Sequence, residues 1–329
     1  YEGMNVGLPN FFAITNINDR PSKTQTGWRE QTQSLYASAD LGYKNTYYLT
    51  LTGRNDWPSQ LAGPDSKSSS FFYPSVGVSV LMNQMFADHG IEFNPEIISF
   101  WKIRASWASV GTAFPRFIAN PTYEWVNGAW SVLTQYPMSD LKPERTKSWE
   151  VGMNFTFDAT WYLADTYNQT FNPNLAVGKY SNLYVQAGNV RNWGMEFALN
   201  YEHTWGNFTW SSGLTYSFNK NKIRELARNV INPVTGETFS LDQIEPAAGN
   251  SLGATHFILR EGGTMGDLYS SVDLMRDANG NIYVDNTGAV SKTTIKDNSE
   301  YIKLGSVLPK GNLAWSNTFR WKNLSASCM

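Results

Sequence analysis

The side chains that could perform chemistry are few and scattered along this chain of 329 residues. His89, His203 and His256 have no partner at the spacing of a metal site, so each is interpreted as a surface, turn or loop histidine. The single cysteine, Cys328, can form neither a disulfide framework nor a thiolate zinc site. We therefore expect no bound metal.

One acidic segment, Asp277-Ala-Asn-Gly-Asn281, has the composition of a calcium-binding loop. The EF-hand pattern requires glycine at its sixth position and glutamate at its twelfth, where this chain has Ile282 and Gly288. An Asn-Gly dipeptide is also a strong signal for a tight hairpin turn. The sequence therefore favours a hairpin turn over a calcium site.

Two carboxylates, Glu196 and Glu202, fall on the same side of a predicted strand and have the residue type of a catalytic acid pair. Solvated carboxylates on a polar wall need no catalytic explanation. The chain also contains no G-x-S-x-G elbow, no P-loop and no dinucleotide-binding fingerprint. We predict that the protein is not an enzyme and has no cofactor.

A group of aromatic residues lies in the segment 112–142, which is rich in Pro, Trp and Asn. Exposed rings at Tyr123, Trp125 and Trp130 could stack on a sugar face or contact a partner protein. The same rings could instead pack within their own loop. The sequence leaves both interpretations open, and these three residues are the candidates for ligand or partner binding.

The elements that would position these residues are strands, and the clearest pair spans residues 31–57. Leu35, Leu41, Leu49 and Leu51 fall on one side of the pair, whereas the intervening residues are mainly polar. Alternation with a period of two indicates strands with one apolar and one polar face. A soluble sandwich would bury the apolar face, and a membrane barrel would turn it towards lipid.

The same alternation recurs in about ten segments, and the connections between them differ in length. Tight connections are predicted near 43–45, 158–159, 205–207 and 322–323, and long ones at 58–70, 112–142, 172–185 and 222–310. A short helix is predicted within 83–99. Short turns at one end and long loops at the other are typical of outer-membrane barrels.

Charge and composition agree with a barrel. Aromatic residues make up 15% of the chain, charged residues 16%, and the net charge of −2 does not favour nucleic-acid binding. No apolar run reaches the roughly 20 residues of a membrane helix, which strand-built membrane proteins do not need. The charged residues of the polar faces are predicted to point into a wet lumen; they include Arg54, Arg104, Glu150, Glu196 and Glu202.

Six segments in one order resemble the barrel of SusC/RagA-like TonB-dependent outer-membrane transporters. They are YLTLTGRNDWPSQL (48–61), FFYPSVGVSV (71–80), ISFWKIRASWASVG (98–111), DLKPERTKSWEVGMNF (140–155), QAGNVRNWGMEFALN (186–200) and LPKGNLAWSNTFRWKNLS (308–325). The resemblance implies an all-β, antiparallel transmembrane barrel. Because that family's barrel has about 22 strands, residues 1–329 are expected to form a partial, open barrel of about ten strands, without the plug domain and the terminal strands.

The resemblance also implies a function and partners. The expected activity is TonB-dependent import of a nutrient, an oligosaccharide or a peptide, across the outer membrane. Expected partners are a SusD-like lipoprotein at the extracellular face, the TonB complex acting through the absent N-terminal part, and outer-membrane lipid. The alternative is a soluble, aromatic-rich β-protein that binds carbohydrate.

Overall fold

The computed structural model describes most of the chain. The described residues are 7–10, 16, 28–61, 70–94, 98, 100–112, 116–119, 123, 125–126, 129–131, 135–138, 142–155, 157–172, 180, 183–232, 234–246 and 251–329. In this part of the chain strands predominate, with one short α-helix, α1 (Met82–Ala87), and two 3-10 turns at Ser59–Leu61 and Asn298–Glu300. The helix lies where the sequence predicts one.

The strands are numbered in chain order. They are β1 (Thr32–Tyr43), β2 (Tyr47–Pro58), β3 (Phe71–Leu81), β4 (Lys102–Thr112), β5 (Trp125–Val126), β6 (Ala129–Trp130), β7 (Glu144–Asn154), β8 (Phe157–Phe171), β9 (Val185–Trp205), β10 (Phe208–Glu225), β11 (Ala227–Ile231), β12 (Thr238–Leu241), β13 (Gln243–Ile244), β14 (Ser251–Leu252), β15 (Thr255–Phe257), β16 (Leu259–Arg260), β17 (Asp267–Ser270), β18 (Val272–Leu274), β19 (Lys292–Thr294), β20 (Ile302–Ser306), β21 (Asn312–Trp321) and β22 (Leu324–Cys328).

Ten of these strands form one antiparallel sheet in the order β1-β2-β3-β4-β7-β8-β9-β10-β21-β22. Apart from β22, each contains at least 10 residues, and β9 contains 21. Lengths of 9–11 residues are what a tilted strand needs to cross a bilayer. Within the described residues, β1 and β22 each pair on one side only, so the sheet is open. The predicted all-β fold with about ten strands is confirmed.

The register gives the sheet two chemically different faces. A row of paired residues across five strands, Ser79, Arg104, Gly152, Thr160 and Glu196, is polar or small throughout. The neighbouring row, Val80, Ile103, Met153, Ala159 and Phe197, is apolar throughout. Because side chains alternate along a strand, these rows lie on opposite faces, and the alternation seen in the sequence is preserved in three dimensions.

The connections confirm the predicted asymmetry, in which the connection that contains α1 is the one long member at the end with the short turns. At one end of the sheet the strands are joined by 44–46, 82–101, 155–156, 206–207 and 322–323, and at the other end by 59–70, 113–143, 172–184 and 226–311. Left-handed residues at the tight turns include Lys44 (φ 52°), Gly206 (φ 58°) and Lys322 (φ 50°). Positive φ matches the twist that two-residue hairpins require. The predicted loop at 58–70 is described only at its two ends, because 62–69 lie outside the described residues.

One predicted turn is wrong. Asp158 and Ala159 belong to β8, where they pair with Asn154 and Met153, and the chain turns between Asn154 and Phe157 instead. Phe155 is therefore a turn residue rather than a strand residue. Its ring packs against Trp101 and Phe157, with centroid separations of 5.7 and 6.0 Å. The turn therefore lies before the predicted position, next to a residue that contacts Trp101. Strand alternation does not encode a contact of this kind.

Buried apolar side chains concentrate at the end of the sheet with the long connections. One cluster contains Leu61, Phe71 and Ile118, and another contains Leu183, Val185 and Ala227. By contrast, side chains of the apolar face are exposed, for example those of Leu313 (69% exposed) and Trp315 (60%). The buried clusters therefore pack the long connections against one end of the sheet. They do not cover its apolar face.

The longest connection, 226–311, is better structured than the predicted Gly- and Asn-rich excursion. Its short strands β11 to β20 form four small sheets. It packs on the polar face of the main sheet, because Val190 and Ile223 of that face are buried with Leu226 and Ile244. Gly262 N donates to Ile223 O at 2.8 Å, which fixes the contact through the backbone.

Candidate functional site

The polar face of the sheet carries all five charged residues that the sequence predicts to be lumen-facing. The strand registers place Arg54, Arg104, Glu150, Glu196 and Glu202 on that one face. Hydroxyl and amide side chains separate them, as in the row Glu202, Ser211 and Thr318. The arrangement is an extended polar wall and not a single cluster.

Arg104 is the centre of the best-connected group on this wall. Its guanidinium donates to Glu150 Oε1 (3.3 Å), Asn154 Oδ1 (2.9 Å) and Thr160 Oγ1 (2.7 Å). These acceptors come from β7 and β8, so one side chain on β4 bridges three neighbouring strands. The planar, multidentate guanidinium suits such a bridge.

Arg104 and Glu196 also line one depression on the polar face. Its volume is about 440 Å³, and its other polar lining residues include Asn154, Asp158 and Asn312. The depression contains hydrogen-bond donors and acceptors and both signs of charge. It can therefore hold water, a polar ligand or a polar protein segment.

The other two predicted wall residues lie apart from this group. Arg54 Nε donates to Asp56 Oδ1 (2.6 Å) and Arg54 Nη2 to Ser34 Oγ (3.1 Å). Glu202 accepts a hydrogen bond from Ser211 Oγ at 2.7 Å. Each is satisfied by a neighbour on the same face, so neither forms a catalytic pair with Arg104 or Glu196.

The three candidate aromatic residues lie in the long connection between β4 and β7. Trp125 and Trp130 are register partners in the hairpin of β5 and β6, so their backbones are adjacent. Tyr123 is 59% exposed and Trp130 is 66% exposed. Two of the three rings are thus exposed at the surface of this long connection. The side chain of Trp125 lies outside the described part of the structure.

The three histidines have different surroundings. His89 Nδ1 lies 2.8 Å from Met85 O just after α1. His203 is an exposed strand residue of β9 on the apolar face, where its ring packs on Trp205 at 4.4 Å, so its predicted surface position is confirmed and a turn or loop position is not. His256 lies in the 226–311 connection between Glu245 Oε1 (2.7 Å) and Ser271 Oγ (3.1 Å).

Carboxylates in the 226–311 connection stabilise its turns. Asp277 accepts from Asn279 N (2.9 Å) and Asn281 N (2.8 Å), and Gly280 has a φ of 84°. The hydrogen bonds from the Asn281 side chain and backbone lower the pKa of Asp277. This geometry confirms the predicted Asn-Gly turn. Within the described residues, no group of three or more His, Cys, Asp or Glu side chains could hold a metal ion.

Asp267 is a buried carboxylate that sequence reasoning missed. It is 1% exposed and contacts Lys303 Nζ, Thr264 N (3.0 Å) and Thr264 Oγ1 (2.5 Å). Burial by itself would raise the pKa of Asp267, but the hydrogen bonds from Lys303 and Thr264 outweigh it and lower the pKa. Nothing in the local sequence pattern distinguishes Asp267 from the neighbouring exposed carboxylates.

The fold and this wall can be compared with known proteins. The family model described as "TonB dependent receptor-like, beta-barrel" matches residues 4–321. This chain belongs to that family. The family is located in the bacterial outer membrane, which agrees with a sheet whose apolar face is exposed along its length. In the described part of the chain, no helix has both the length and the apolar character to cross a membrane.

Two curated relatives come from Formosa agariphila. TonB-dependent receptor P3 is 28% identical over 256 residues, covering 72% of this chain and 24% of the receptor. TonB-dependent receptor P26 is 26% identical over 318 residues, covering 90% of this chain and 31% of the receptor. The chain therefore spans about a quarter to a third of the length of these TonB-dependent receptors.

Solved structures show the same fold. The RagAB peptide transporter gives a TM-score of 0.70 at 16% identity, covering 97% of this chain and 35% of that chain. The RagAB peptide importer in its open-open state gives a TM-score of 0.68 at 16% identity, covering 96% and 34%. The resemblance to a SusC/RagA-like TonB-dependent receptor barrel is confirmed by the family match and by these folds.

Proposed function

We propose that this chain forms part of the wall and the outer loops of a TonB-dependent transporter that imports an oligosaccharide or a peptide across the outer membrane. The observation that carries the proposal is the two-faced sheet, with one polar and one apolar face across ten strands. A polar face that encloses a lumen gives a hydrophilic solute a wet path, while the apolar face contacts lipid.

The residues of the polar face would keep the lumen hydrated and would take no part in a catalytic reaction. Arg54, Arg104, Glu150, Glu196 and Glu202 would then line the lumen, where charges remain hydrated at little cost. The long connections would meet the incoming solute, because they share one end of the sheet. Tyr123, Trp125 and Trp130 would contact the ligand or a partner there.

The proposed partners follow from the same geometry and from the family. A SusD-like lipoprotein would cover the end with the long connections, and the TonB complex would act at the opposite end through another part of the transporter. Outer-membrane lipid would cover the apolar face. The soluble carbohydrate-binding alternative is not favoured, because a soluble protein would bury residues such as Leu35 and Leu313, both 69% exposed.

Uptake by the complete transporter tests the proposal. Cells that carry the complete transporter and its neighbouring lipoprotein gene would be given radiolabelled maltotriose, trigalacturonate and trialanine, with and without a functional TonB. We expect accumulation of at least one solute that requires both the transporter and TonB. Recovery of the transporter in the soluble fraction without detergent, or uptake that does not depend on TonB, would contradict the proposal.

A further inference from the structure

A cleft opens at the end of the sheet with the long connections. The described residues that line it come from four parts of the chain: Tyr136, Met138 and Lys142 before β7, Asn168 in β8, 183–187 at the start of β9, and 225 and 228–231 at the end of β10 and in β11. Its volume is about 530 Å³. This volume is within the range of about 300–1,000 Å³ typical of pockets for small ligands. We name it the Lys142 cleft.

The floor of the Lys142 cleft is built from buried, packed side chains. Leu183 (2% exposed) and Val185 (3%) belong both to the lining and to the buried cluster that also contains Ala227. Tyr136, another lining residue, packs edge-on against Tyr180 with centroids 5.2 Å apart and an interplanar angle of 87°. A preformed floor reduces the entropy that a ligand would lose in ordering the site.

The backbone of Lys142 is clamped by a side chain of the same lining. Gln186 Oε1 accepts from Lys142 N at 2.8 Å, and Gln186 Nε2 donates to Lys142 O at 2.7 Å. Gln186 Nε2 also donates to Thr170 Oγ1 at 3.2 Å, which holds the amide in place. The clamp fixes the point from which the exposed Lys142 side chain leaves the backbone.

The ammonium group of Lys142 is the cation available to a ligand. Among the described residues, no carboxylate lies within 4.0 Å of Lys142 Nζ. Arg228 also lines the cleft, but it already pairs with Glu261, which accepts from Leu226 N at 3.1 Å as well. Glu225 is the carboxylate of the lining itself. Among the described lining residues, Arg228 is therefore neutralised by Glu261, and Lys142 is the cation without a carboxylate partner.

The remaining lining residues add neutral hydrogen-bonding groups. Asn168 and Asn229 both line the cleft, and both have a left-handed backbone, with φ values of 58° and 51°. Asparagine tolerates this region better than most residues do. Tyr184 completes the polar lining with a phenol. Amides and phenols beside an ammonium group suit a polar ligand that carries one negative charge.

We propose that the Lys142 cleft binds a carboxylate-bearing part of the transported solute through the Lys142 ammonium group. The carboxylate could belong to an acidic sugar or to the carboxyl terminus of a peptide, and both present the same chemistry to Lys142. This inference rests on the proposed function, since it places a substrate-binding site at the end where the solute would arrive.

Calorimetry on the purified complete transporter in detergent tests the cleft with four probes. Trigalacturonate is compared with neutral maltotriose, and trialanine with trialanine amide. We expect one carboxylate probe to bind at least ten-fold more tightly than its counterpart without a carboxylate, because a charge-assisted hydrogen bond contributes more than a neutral one. The pair that shows the difference identifies the source of the carboxylate. Equal affinities within both pairs, or no binding of either carboxylate probe, would overturn the proposal.

Three variants separate a binding role from a structural one. Lys142→Met should weaken binding of the preferred carboxylate probe about ten-fold or more and should not weaken binding of the counterpart without a carboxylate. Glu225→Gln should strengthen binding of the carboxylate probe, because it removes the negative charge of the lining. Lys44→Met makes the same change as Lys142→Met in a tight turn at the opposite end and should have no effect.

The outcomes also distinguish this inference from the proposed function. Unchanged carboxylate affinity in Lys142→Met would overturn the cleft proposal, whereas TonB-dependent uptake of any of the solutes would still support import. Loss of both probes of a pair in Lys142→Met, at normal membrane abundance, would likewise contradict a charge-specific role. Binding that requires Lys142 without TonB-dependent uptake would support the cleft and contradict import.

Discussion

The guanidinium of Arg104 lies across Gly152, on the neighbouring strand of the polar face. A Cβ atom at position 152 would be 2.9 Å from Arg104 Cζ, closer than real Cβ contacts. The absence of a side chain at Gly152 lets Arg104 reach Thr160 on the strand beyond, at 2.7 Å. Tyr162 crosses Gly194 in the same way and donates to Asn219 Oδ1 at 3.2 Å. Glycine on this wall therefore allows hydrogen bonds that span three strands.

Gly152→Ala should lower the stability of the complete transporter by about 1 kcal/mol, because the new methyl group displaces the partly exposed Arg104 and breaks its hydrogen bonds. Gly77→Ala is the matched control on the same face, where the Cβ would meet Thr50 at an ordinary 3.9 Å. That control should be neutral or stabilising, by up to about 1 kcal/mol. Thermal unfolding in detergent, followed by tryptophan fluorescence, measures both. If Gly152→Ala costs as much in an Arg104→Met background, the displacement explanation is wrong.

Val151→Arg should reduce assembly into the outer membrane, because Val151 lies on the apolar face and is 47% exposed. An arginine on a lipid-facing strand costs roughly 2–4 kcal/mol at the bilayer midplane and about 0–1 near the interfaces. Ser148→Arg places the same residue on the polar face of the same strand and should assemble normally. The measurement is the fraction of heat-modifiable transporter in outer-membrane preparations. Equal assembly of the two variants would exclude lipid contact at Val151.

Asp267 should make the 226–311 connection sensitive to acid. Its pKa is lower in the folded state than in the unfolded state, so its stabilising contribution is complete above the ordinary pKa of about 3.9 and is lost as the pH falls through the lower folded value. Asp267→Asn should remove roughly 1–3 kcal/mol at neutral pH, because Lys303 and Thr264 lose a charged acceptor. Hydrogen exchange of residues 264–270 at pH 7 and pH 3 measures the effect.

The control for Asp267 is Asp277→Asn, which alters an exposed turn with local hydrogen bonds. Its effect on exchange should be confined to residues 277–281. The Asp267→Asn variant should show low protection factors for these amides at both pH values, with little further loss of protection on acidification. Exchange at 264–270 that matches the unsubstituted protein at pH 7 would show that the Asp267 contacts do not stabilise the connection.

Trp125→Ala and Trp130→Ala should lower uptake of the transported solute, and Tyr123→Ala should have a similar effect. Aromatic contacts contribute about 0.5–1.5 kcal/mol beyond their buried area, which corresponds to a roughly two- to ten-fold change. Uptake, retention of the lipoprotein partner and membrane abundance are measured together. Trp315→Ala, on the apolar face, is the control. Normal uptake and normal partner retention at normal abundance would exclude a binding role, and reduced abundance alone would show that the rings only pack the loop.

The strands and their faces could be read from the sequence because they depend on local alternation. Leu49, Leu51, Val78 and Val80 alternate with polar residues, and the structure places all four on one face. The tight turn at Trp205-Gly206-Asn207 could also be predicted, since glycine accepts the positive φ that the structure has at Gly206 (58°). The turn beside Phe155 was misplaced because its position depends on contacts with Trp101, which is more than 50 residues away in sequence.

The sequence by itself determined the two faces, the alternation of short and long connections, and the family resemblance, because each depends on residue order along one strand or turn. Only the tertiary structure brought Lys142 to Gln186, buried Asp267 beside Lys303, and folded the 226–311 connection over Val190 and Ile223. Lys142 and Gln186 are 44 positions apart and Asp267 and Lys303 are 36 apart, and no local periodicity encodes such contacts. The physical reason is that each strand repeats the same two-residue alternation, which can be recognised from neighbouring residues alone. Loop packing instead depends on which distant apolar and charged groups the sheet brings together.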